Sequence, residues 1–319
     1  MLFIRVNFNI TYNKTFREIA SEWKRDKQRF VKETTMAVYG LQLQTHLLPA
    51  FGDRTMIEEK DVQQFVVDKL NKGLSERTTK DVLIVLKMVV RWANKHAGWD
   101  NRTDWEIIFP TRREQIELEV MTVTDQQKIV KYVKENFTFK NLGLQICLFT
   151  GLRIGEVCGL KWSDYNVSNN TLTINRTIER IYTIDNGQRK SRVVVSTPKT
   201  ASSNRTIPMN KKLQKVLKEL EKVVNKDFYI ISNSEKPIEP RTYRNYYNKV
   251  LSKLGIAKLK FHGLGHSFAT RCIENNCDYK TVSVLLGHAD VSTTMNLYVH
   301  PNMEHKKKCI ERLVKILEQ

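Results

Sequence analysis

The chain has 319 residues, of which 41% are hydrophobic and 27% are charged. This length favours two domains, and this composition excludes a disordered chain and a bundle of membrane helices. Lysine and arginine number 53 against 34 acidic residues, and the resulting charge of +19 favours a polyanionic partner such as nucleic acid. The start of the chain lacks the apolar core and cleavage site of a signal peptide, so we expect a cytoplasmic protein with no membrane partner.

Residues 1–14 are too few for a domain, and we expect them to form a short N-terminal arm. Four helices are predicted in residues 15–100, because apolar residues recur there at helical spacing. Turn residues at 49–54 and 71–73 separate them, and Ser75 is the predicted N-cap of the fourth. The four apolar stripes are Phe16, Ile19, Ala20 and Trp23; Val38, Leu41 and Thr45; Val62, Phe65, Val66 and Leu70; and Val82, Val85, Leu86, Val89, Val90 and Ala93. They predict a small helical bundle.

Residues 101–119 are charged and aperiodic, and we interpret them as an inter-domain linker. A second domain is predicted in residues 120–319, where Thr124 and Gln127 form a capping pattern ahead of its first helix. A period of two, typical of strands, follows in residues 171–176, 177–184 and 192–196. Helices return from Asn210 onwards. The predicted fold class is therefore mostly α with a small antiparallel β-sheet (α+β).

The basic excess is concentrated in the predicted second domain. Residues 171–215 alone contain ten basic and two acidic residues, so we expect this segment to lie near a nucleic acid. The five cysteines, none at zinc-finger spacing, are Cys147, Cys158, Cys272, Cys277 and Cys309. Their odd number and wide spacing predict free thiols and neither disulfides nor a structural zinc site.

Four short segments of the second domain combine glycines with arginine, lysine, histidine or tyrosine. They are Thr-Gly-Leu-Arg153-Ile-Gly-Glu156, Thr-Pro-Lys199-Thr, Phe-His262-Gly-Leu-Gly265-His and Leu-Leu-Gly-His288, the last followed ten residues later by Tyr298. The glycines around Arg153 let the backbone approach a ligand while the guanidinium projects. Taken singly the segments leave alternatives open, since Arg153 could merely pair with Glu156 and a lysine in a turn is usually solvated.

In this order the segments resemble the tyrosine recombinase, or phage integrase, family, in the style of integrases of Gram-positive phages and conjugative transposons. The resemblance covers roughly residues 120–300, and the helices of residues 15–97 more loosely resemble the family's core-type DNA-binding domain. It implies a site-specific recombinase that cleaves and rejoins double-stranded DNA for integration or excision of a mobile element or phage. Such proteins form C-shaped clamps and act as homo-tetramers on paired sites, with accessory DNA-bending proteins as further partners. Relatives often carry an arm-binding domain, for which residues 1–14 leave no room.

The resemblance also implies a role for each of five residues, with no metal or other cofactor. Tyr298 is expected to attack a DNA phosphodiester, forming a 3′-phosphotyrosine, and to lose its proton to His262. Lys199 is expected to protonate the 5′-hydroxyl leaving group. Arg153 and His288 are expected to bind the phosphate oxygens in the transition state.

One position departs from the family pattern. His-x-x-Arg would place an arginine where this chain has Gly265, and Arg271 lies two helical turns further on. A deliberate substitution, natural decay and a relocated arginine are open, as is a native glycine that supplies a positive φ angle in a turn. Two rival functions are open, the first because of Gly265 and the second because it shares the tyrosine chemistry without a need for tetramers. One is a catalytically defective DNA-binding protein of the same fold, and the other is a nicking enzyme similar to type IB topoisomerases.

The C-terminal tail carries an apolar stripe at helical spacing, formed by Ile310, Leu313, Val314 and Leu317. We predict a tail helix with two open interpretations. The stripe packs on its own domain, or, as the resemblance favours, it docks on a neighbouring subunit and couples cleavage to assembly.

Overall fold

A computed structural model describes residues 14–110, 119–185, 187–198 and 200–298, together with positions 307, 310, 311, 313, 314, 317 and 318. The chain divides into two compact units. One is drawn from Met1–Gln115 with Ile181–Arg192, and the other from Ile116–Arg180 with Val193–Gln319. Across these described ranges, no helix is long and apolar enough to cross a membrane.

Residues 14–110 of the first unit are helical in their described elements, and its other segment, Ile181–Arg192, belongs to two strands given below. The helical elements are α1 (Phe16–Lys27), α2 (Glu33–Gln42), a π-helical segment (Leu43–Leu47), α3 (Leu48–Phe51), α4 (Glu59–Asn71) and α5 (Glu76–His96). The predicted stripes of α1, α4 and α5 face one shared core, where Phe16, Val62 and Val89 are fully buried. Ser75 caps α5 as predicted, because its Oγ accepts a hydrogen bond from the Thr78 N–H at 3.1 Å.

The predicted stripe of the second helix is wrong. Val38 is 52% exposed and Thr45 is also exposed, whereas Leu43 and Leu47 are buried. The buried residues Met36, Leu43 and Leu47 also recur at helical spacing, on another face of the helix, so periodicity alone did not identify the face that is buried. The helical path then continues past Pro49 into α3, where a proline in the first turn costs no hydrogen bond.

The segment after α5 packs on the same helical core. Trp99 and Trp105 are buried in that core, although no helix or strand is described around them. The Asn101 side chain accepts a hydrogen bond from the Ile57 N–H at 2.9 Å. The first half of the predicted linker is therefore held by the first unit, while residues 111–118 lie outside the described residues.

The described helices of the second unit surround a larger core. They are α6 (Val123–Glu135), α7 (Phe139–Thr150), α8 (Ile154–Gly159), α9 (Lys211–Glu221), α10 (Pro240–Lys253), α11 (Gly263–Glu274), α12 (Tyr279–Leu286) and α13 (Val291–Tyr298). The N-cap of α6 is Thr122 and not the predicted Thr124, since Thr122 Oγ1 accepts a hydrogen bond from the Asp125 N–H at 3.1 Å. Trp162 and Tyr243 are among the largest fully buried side chains.

Short antiparallel strands complete the fold. They are β1 (Tyr165–Asn166), β2 (Thr171–Ile174), β3 (Thr177–Asp185), β4 (Gln188–Ser196) and β5 (Arg205–Pro208). One sheet has the order β1-β2-β5, and β3 pairs with β4 in a second sheet. In the register of β2 and β5, Leu172 lies opposite Ile207 and both are buried, while Ile174 lies opposite Arg205. The predicted class, mostly α with small antiparallel sheets, is confirmed.

Candidate active site

Two helix ends approach closely at a glycine that precedes the first predicted site residue. Gly151 ends α7 with a left-handed φ of +68°. A Cβ at this position would lie 2.7 Å from side-chain atoms of both Leu286 and Phe268. Only glycine therefore combines this backbone conformation with this contact, which holds the end of α7 against α11 and α12.

Arg153 follows as the N-cap residue of α8. Its backbone N–H donates to Glu156 Oε2 at 2.9 Å, and its guanidinium Nη1 donates to Glu156 Oε1 at 2.9 Å. Its Nη2 donates to the Gly287 carbonyl at 3.3 Å. The side chain remains 47% exposed, so one edge of the guanidinium is held by the protein while the rest faces solvent.

Glu156 forms a second, fully buried ion pair with Arg205. Both side chains are 4% exposed, and Nη1 and Nη2 of Arg205 each lie 3.0 Å from one carboxylate oxygen. Burial alone would raise the pKa of Glu156. The bonds and charge of Arg205, with a smaller contribution from Arg153, outweigh burial and hold this pKa below its usual value. Glu156 is therefore an anion between two guanidinium groups.

Arg205 also ties β5 to the end of α12. Its Nε donates to the Leu285 carbonyl at 2.7 Å, and its Nη1 donates to the Ser203 carbonyl at 3.1 Å. The helix ends at Gly287, which has a left-handed φ of +65°, and a Cβ there would lie 2.8 Å from Arg205 Nη1. Glycine at position 287 therefore both adopts this conformation and leaves room for the Arg205 guanidinium.

His288 leaves this turn and bonds to α13. Its Nδ1 lies 2.8 Å from Oγ1 of the buried Thr294. Burial, followed by the charges of Arg153, His266 and Arg205, lowers the pKa of His288 to about 4. The ring is therefore neutral near pH 7, close to the positive charges of Arg153 and Arg205.

Arg153 and His288 line one cavity of about 400 Å³. Pro198 and Thr200 also line it. Lys199 itself lies outside the described residues, but both of its neighbours in the chain reach this cavity. No cluster of three or more histidine, cysteine, aspartate or glutamate side chains suited to a metal ion occurs in the described ranges.

His262 lines a second cavity, of about 630 Å³, which also includes Arg153. This cavity is bounded by Arg153 together with the basic residues Arg244, Lys258 and Lys260. His262 is exposed at the start of α11. The structure thus places Arg153 at the boundary of two openings, one with His288 and the other with His262.

Gly265 lies in the first turn of α11, and its φ is not positive. The interpretation that glycine supplies a left-handed turn is therefore wrong. A Cβ at position 265 would lie 3.3 Å from the Gly151 carbonyl oxygen, so this position faces the turn that precedes Arg153. Arg271 does not replace the missing arginine, because its Nη2 donates to the Met121 carbonyl at 2.9 Å, away from both cavities.

Tyr298 is the last residue of α13. The structure describes its main chain, and its side chain lies outside the description. The helix that carries it packs against α11 and α12, and its Thr294 bonds to His288. The helix of the predicted nucleophile is therefore anchored at the cavity.

Sequence reasoning missed three polar residues that build this site: Ser203, Arg205 and Thr294. Arg205 opens a strand of four residues that no periodicity predicts, and it stands in a stretch already rich in basic residues. Of these three residues, Thr294 could have been noticed in the sequence, because it lies in the helix that follows His288. Their roles depend on contacts between residues far apart in the chain, such as the 49 positions that separate Glu156 from Arg205.

Comparison with known families gives two matches along the chain. The model described as phage integrase family matches residues 119–305, and the model described as phage integrase, N-terminal SAM-like domain, matches residues 15–70. A tyrosine recombinase XerC-like protein of Caldanaerobacter subterraneus subsp. tengcongensis is 31% identical over 279 residues, which are 81% of this chain and 71% of that protein. The ICEBs1 integrase of Bacillus subtilis is 23% identical over 83% of this chain and 73% of its own length.

Solved structures share the fold. The Tn1549 transposon integrase in complex with transposon right end DNA has a TM-score of 0.73 at 20% identity, over 94% of this chain and all 100% of that one. A lambda integrase tetramer bound to a Holliday junction has a TM-score of 0.64 at 16% identity, over 90% of this chain and 78% of that one. From the family match over more than half of its length, the chain belongs to the phage integrase family of tyrosine recombinases, which cleave and rejoin DNA.

Proposed function

We propose that this chain recombines duplex DNA at specific sites through a covalent bond between Tyr298 and a DNA 3′-phosphate. The observation that carries the proposal is the cavity in which Arg153 and His288 meet. Arg153 presents a half-exposed guanidinium whose inner edge is fixed by Glu156. A phosphodiester in this cavity would therefore meet donors that need not reorganise as its charge rises.

His288 is suited to bind phosphate as a neutral donor. In the tautomer in which Nδ1 accepts the hydroxyl proton of Thr294, the ring carries its own proton on Nε2 and can donate it to a non-bridging oxygen. A pKa of about 4 keeps the ring neutral near pH 7. The site thus gains a hydrogen bond without a second positive charge that would repel Arg153.

The remaining roles follow the chemistry of phosphoryl transfer. The Tyr298 oxygen attacks phosphorus while its proton passes to His262, and the P–O5′ bond breaks as Lys199 gives a proton to the leaving oxygen. The placement of Pro198 and Thr200 at the cavity supports Lys199, and the shared cavity with Arg153 supports His262. The covalent link conserves the bond energy for rejoining, so no nucleotide is consumed.

We further propose a core-type DNA-binding domain in residues 15–100, a linker in 101–119 and a catalytic domain in 120–319. The family matches at 15–70 and 119–305 support this division. The DNA-bound Tn1549 integrase and the lambda integrase tetramer on a Holliday junction support duplex DNA as substrate and a homo-tetramer on paired sites. Integration or excision of a mobile element in the cytoplasm is the corresponding cellular role.

A second candidate function is favoured by Gly265. Without the arginine of the family pattern, Arg153 is the one guanidinium lining the described His288 cavity, because Arg205 is committed to Glu156. The chain would then bind DNA and cleave it slowly or not at all. The following substitution separates the two candidates.

Gly265→Arg is expected to raise the rate of protein–DNA adduct formation on a nicked duplex by about 10²–10³, the worth of one preorganised donor. The matched control is Gly265→Ala, which adds the same Cβ at 3.3 Å from Gly151 without a guanidinium and is expected to leave the rate low. Adding Tyr298→Phe to Gly265→Arg should abolish the adduct. A fall from an already substantial rate in Gly265→Arg would show that the site uses a different donor.

Neutralising Arg189, Lys190 and Arg192 on β4 is expected to weaken duplex binding and its dependence on salt. The slope of log K against log salt is negative, and each lost phosphate contact makes it shallower by about 0.9. The measurement is fluorescence anisotropy with a labelled duplex at several salt concentrations.

The control for this charge change neutralises Lys222, Lys226 and Lys236, which lie outside the basic segment 171–215. It removes the same formal charge and should change the slope less. Equal slopes for both triple variants would contradict the proposed place of the segment at DNA.

We propose that the tail docks on a neighbouring subunit. Ile310 is 64% exposed and Leu317 is 74% exposed, so these two apolar side chains are not covered by the part of the chain that the structure describes. Deleting residues 310–319 should abolish tetramers on paired sites, as seen by analytical ultracentrifugation, and preserve binding to a single site. Ile310→Asp should act like the deletion, whereas Glu311→Gln on the same turn should not. Tetramers of normal stability in Ile310→Asp would refute docking between subunits.

A further inference from the structure

Arg205 makes more bonds than an ion pair requires. Every nitrogen of its buried guanidinium donates: Nε to Leu285, Nη1 to Ser203 and Glu156, and Nη2 to Glu156. A buried ion pair adds little net stability, because the loss of hydration offsets the attraction, and apolar side chains of similar volume often stabilise as well. Stability alone therefore does not explain why charges stand here.

The hydrogen bonds of Arg205 connect it to Arg153 and to the turn before His288, the two residues that we propose bind phosphate in the cavity they share. On one side, Glu156 links Arg205 to Arg153. Its carboxylate, held by Arg205, also accepts hydrogen bonds from the backbone N–H and from Nη1 of Arg153. On the other side, Arg205 holds the last turn of α12 through the Leu285 carbonyl, two residues before the carbonyl-bonded Gly287 and three before His288.

The Gly287 carbonyl is a shared acceptor for these two arms. It accepts from Arg153 Nη2 at 3.3 Å and from Ser203 Oγ at 3.4 Å, and the Ser203 carbonyl in turn accepts from Arg205. The orientation of Arg153 and the placement of the turn before His288 are therefore set by one network centred on Arg205.

We propose that Arg205 is a positioning residue for DNA cleavage, which fixes Arg153 through Glu156 and fixes His288 through the end of α12. This inference rests on the proposed function for its catalytic meaning. The structural part of the proposal is that Arg205 orders two segments that lie 134 positions apart in the chain, and this part does not depend on that function.

The first test measures amide hydrogen exchange by mass spectrometry on the full chain, in peptides covering residues 151–157 and 284–290. Arg205→Met should accelerate exchange in both peptides by at least about tenfold, since bonds from a charged donor to buried acceptors are lost. Arg205→Lys keeps the charge but lacks the planar fork, so its acceleration should be intermediate.

Arg176→Met is the matched control. Arg176 likewise pairs with a buried acid, Asp164, and bonds the Gly159 carbonyl at the far end of α8. This variant should lose global stability in urea without accelerating exchange in the two site peptides beyond its global effect. Each variant's exchange rates are corrected for its loss of global stability. If Arg205→Met then accelerates exchange no more than Arg176→Met, or accelerates it in only one of the two peptides, the positioning role is refuted.

The second test uses adduct formation on a nicked duplex, in the natural chain and in Gly265→Arg. Arg205→Met should lower the rate at saturating DNA by about tenfold or more, with duplex affinity unchanged. In an Arg153→Ala background the same substitution should cost much less, because the two residues act as one unit. Full additivity would refute action through Arg153. If every variant lacks an adduct, the proposed function fails, while the exchange experiment still decides the positioning role.

Discussion

The buried ion pair between Glu156 and Arg205 is the interaction on which the site depends. Its two carboxylate oxygens and its guanidinium are removed from water, so each must be bonded within the protein. Meeting that requirement brings together the start of α8, the start of β5 and the end of α12. Two left-handed glycines, Gly151 and Gly287, allow these ends to approach as closely as the bonds demand. The half-exposed guanidinium of Arg153 is then the outer edge of a rigid buried network.

The same network controls the charge of the cavity. The network contains the guanidinium groups of Arg153 and Arg205 and the carboxylate of Glu156, and its surplus positive charge disfavours a further cation in the cavity. Together with burial, this surplus keeps His288 neutral near pH 7. A phosphodiester would bring the negative charge that the cavity lacks. Gly265 is the position where this arrangement departs from the family pattern, and its φ shows that no left-handed backbone conformation imposes the glycine.

Local signals in the sequence predicted the elements that local interactions build. The apolar stripe and the Ser75 cap predicted α5. The second helix was predicted with the wrong face, because two sets of residues there recur at helical spacing and the spacing alone does not show which set is buried.

The site was predicted only in part, because local motifs in a sequence do not show contacts between residues far apart in the chain. Arg153, His262 and His288 stand in motifs, and the structure places them around two adjoining cavities. Arg205 stands in no motif, since its meaning lies in bonds to Glu156 and Leu285, which are far from it in the chain. Lys199 and the side chain of Tyr298 remain predictions from the sequence.

The most direct measurement is to identify the residue that becomes attached to DNA. The natural chain and Gly265→Arg would each be incubated with a nicked duplex that releases its short 5′-hydroxyl strand, then digested and analysed by mass spectrometry. We predict a nucleotide attached through a 3′-phosphate to the peptide that contains Tyr298, and none in Tyr298→Phe. Attachment at any other residue, or no attachment in either chain, would contradict the proposed site.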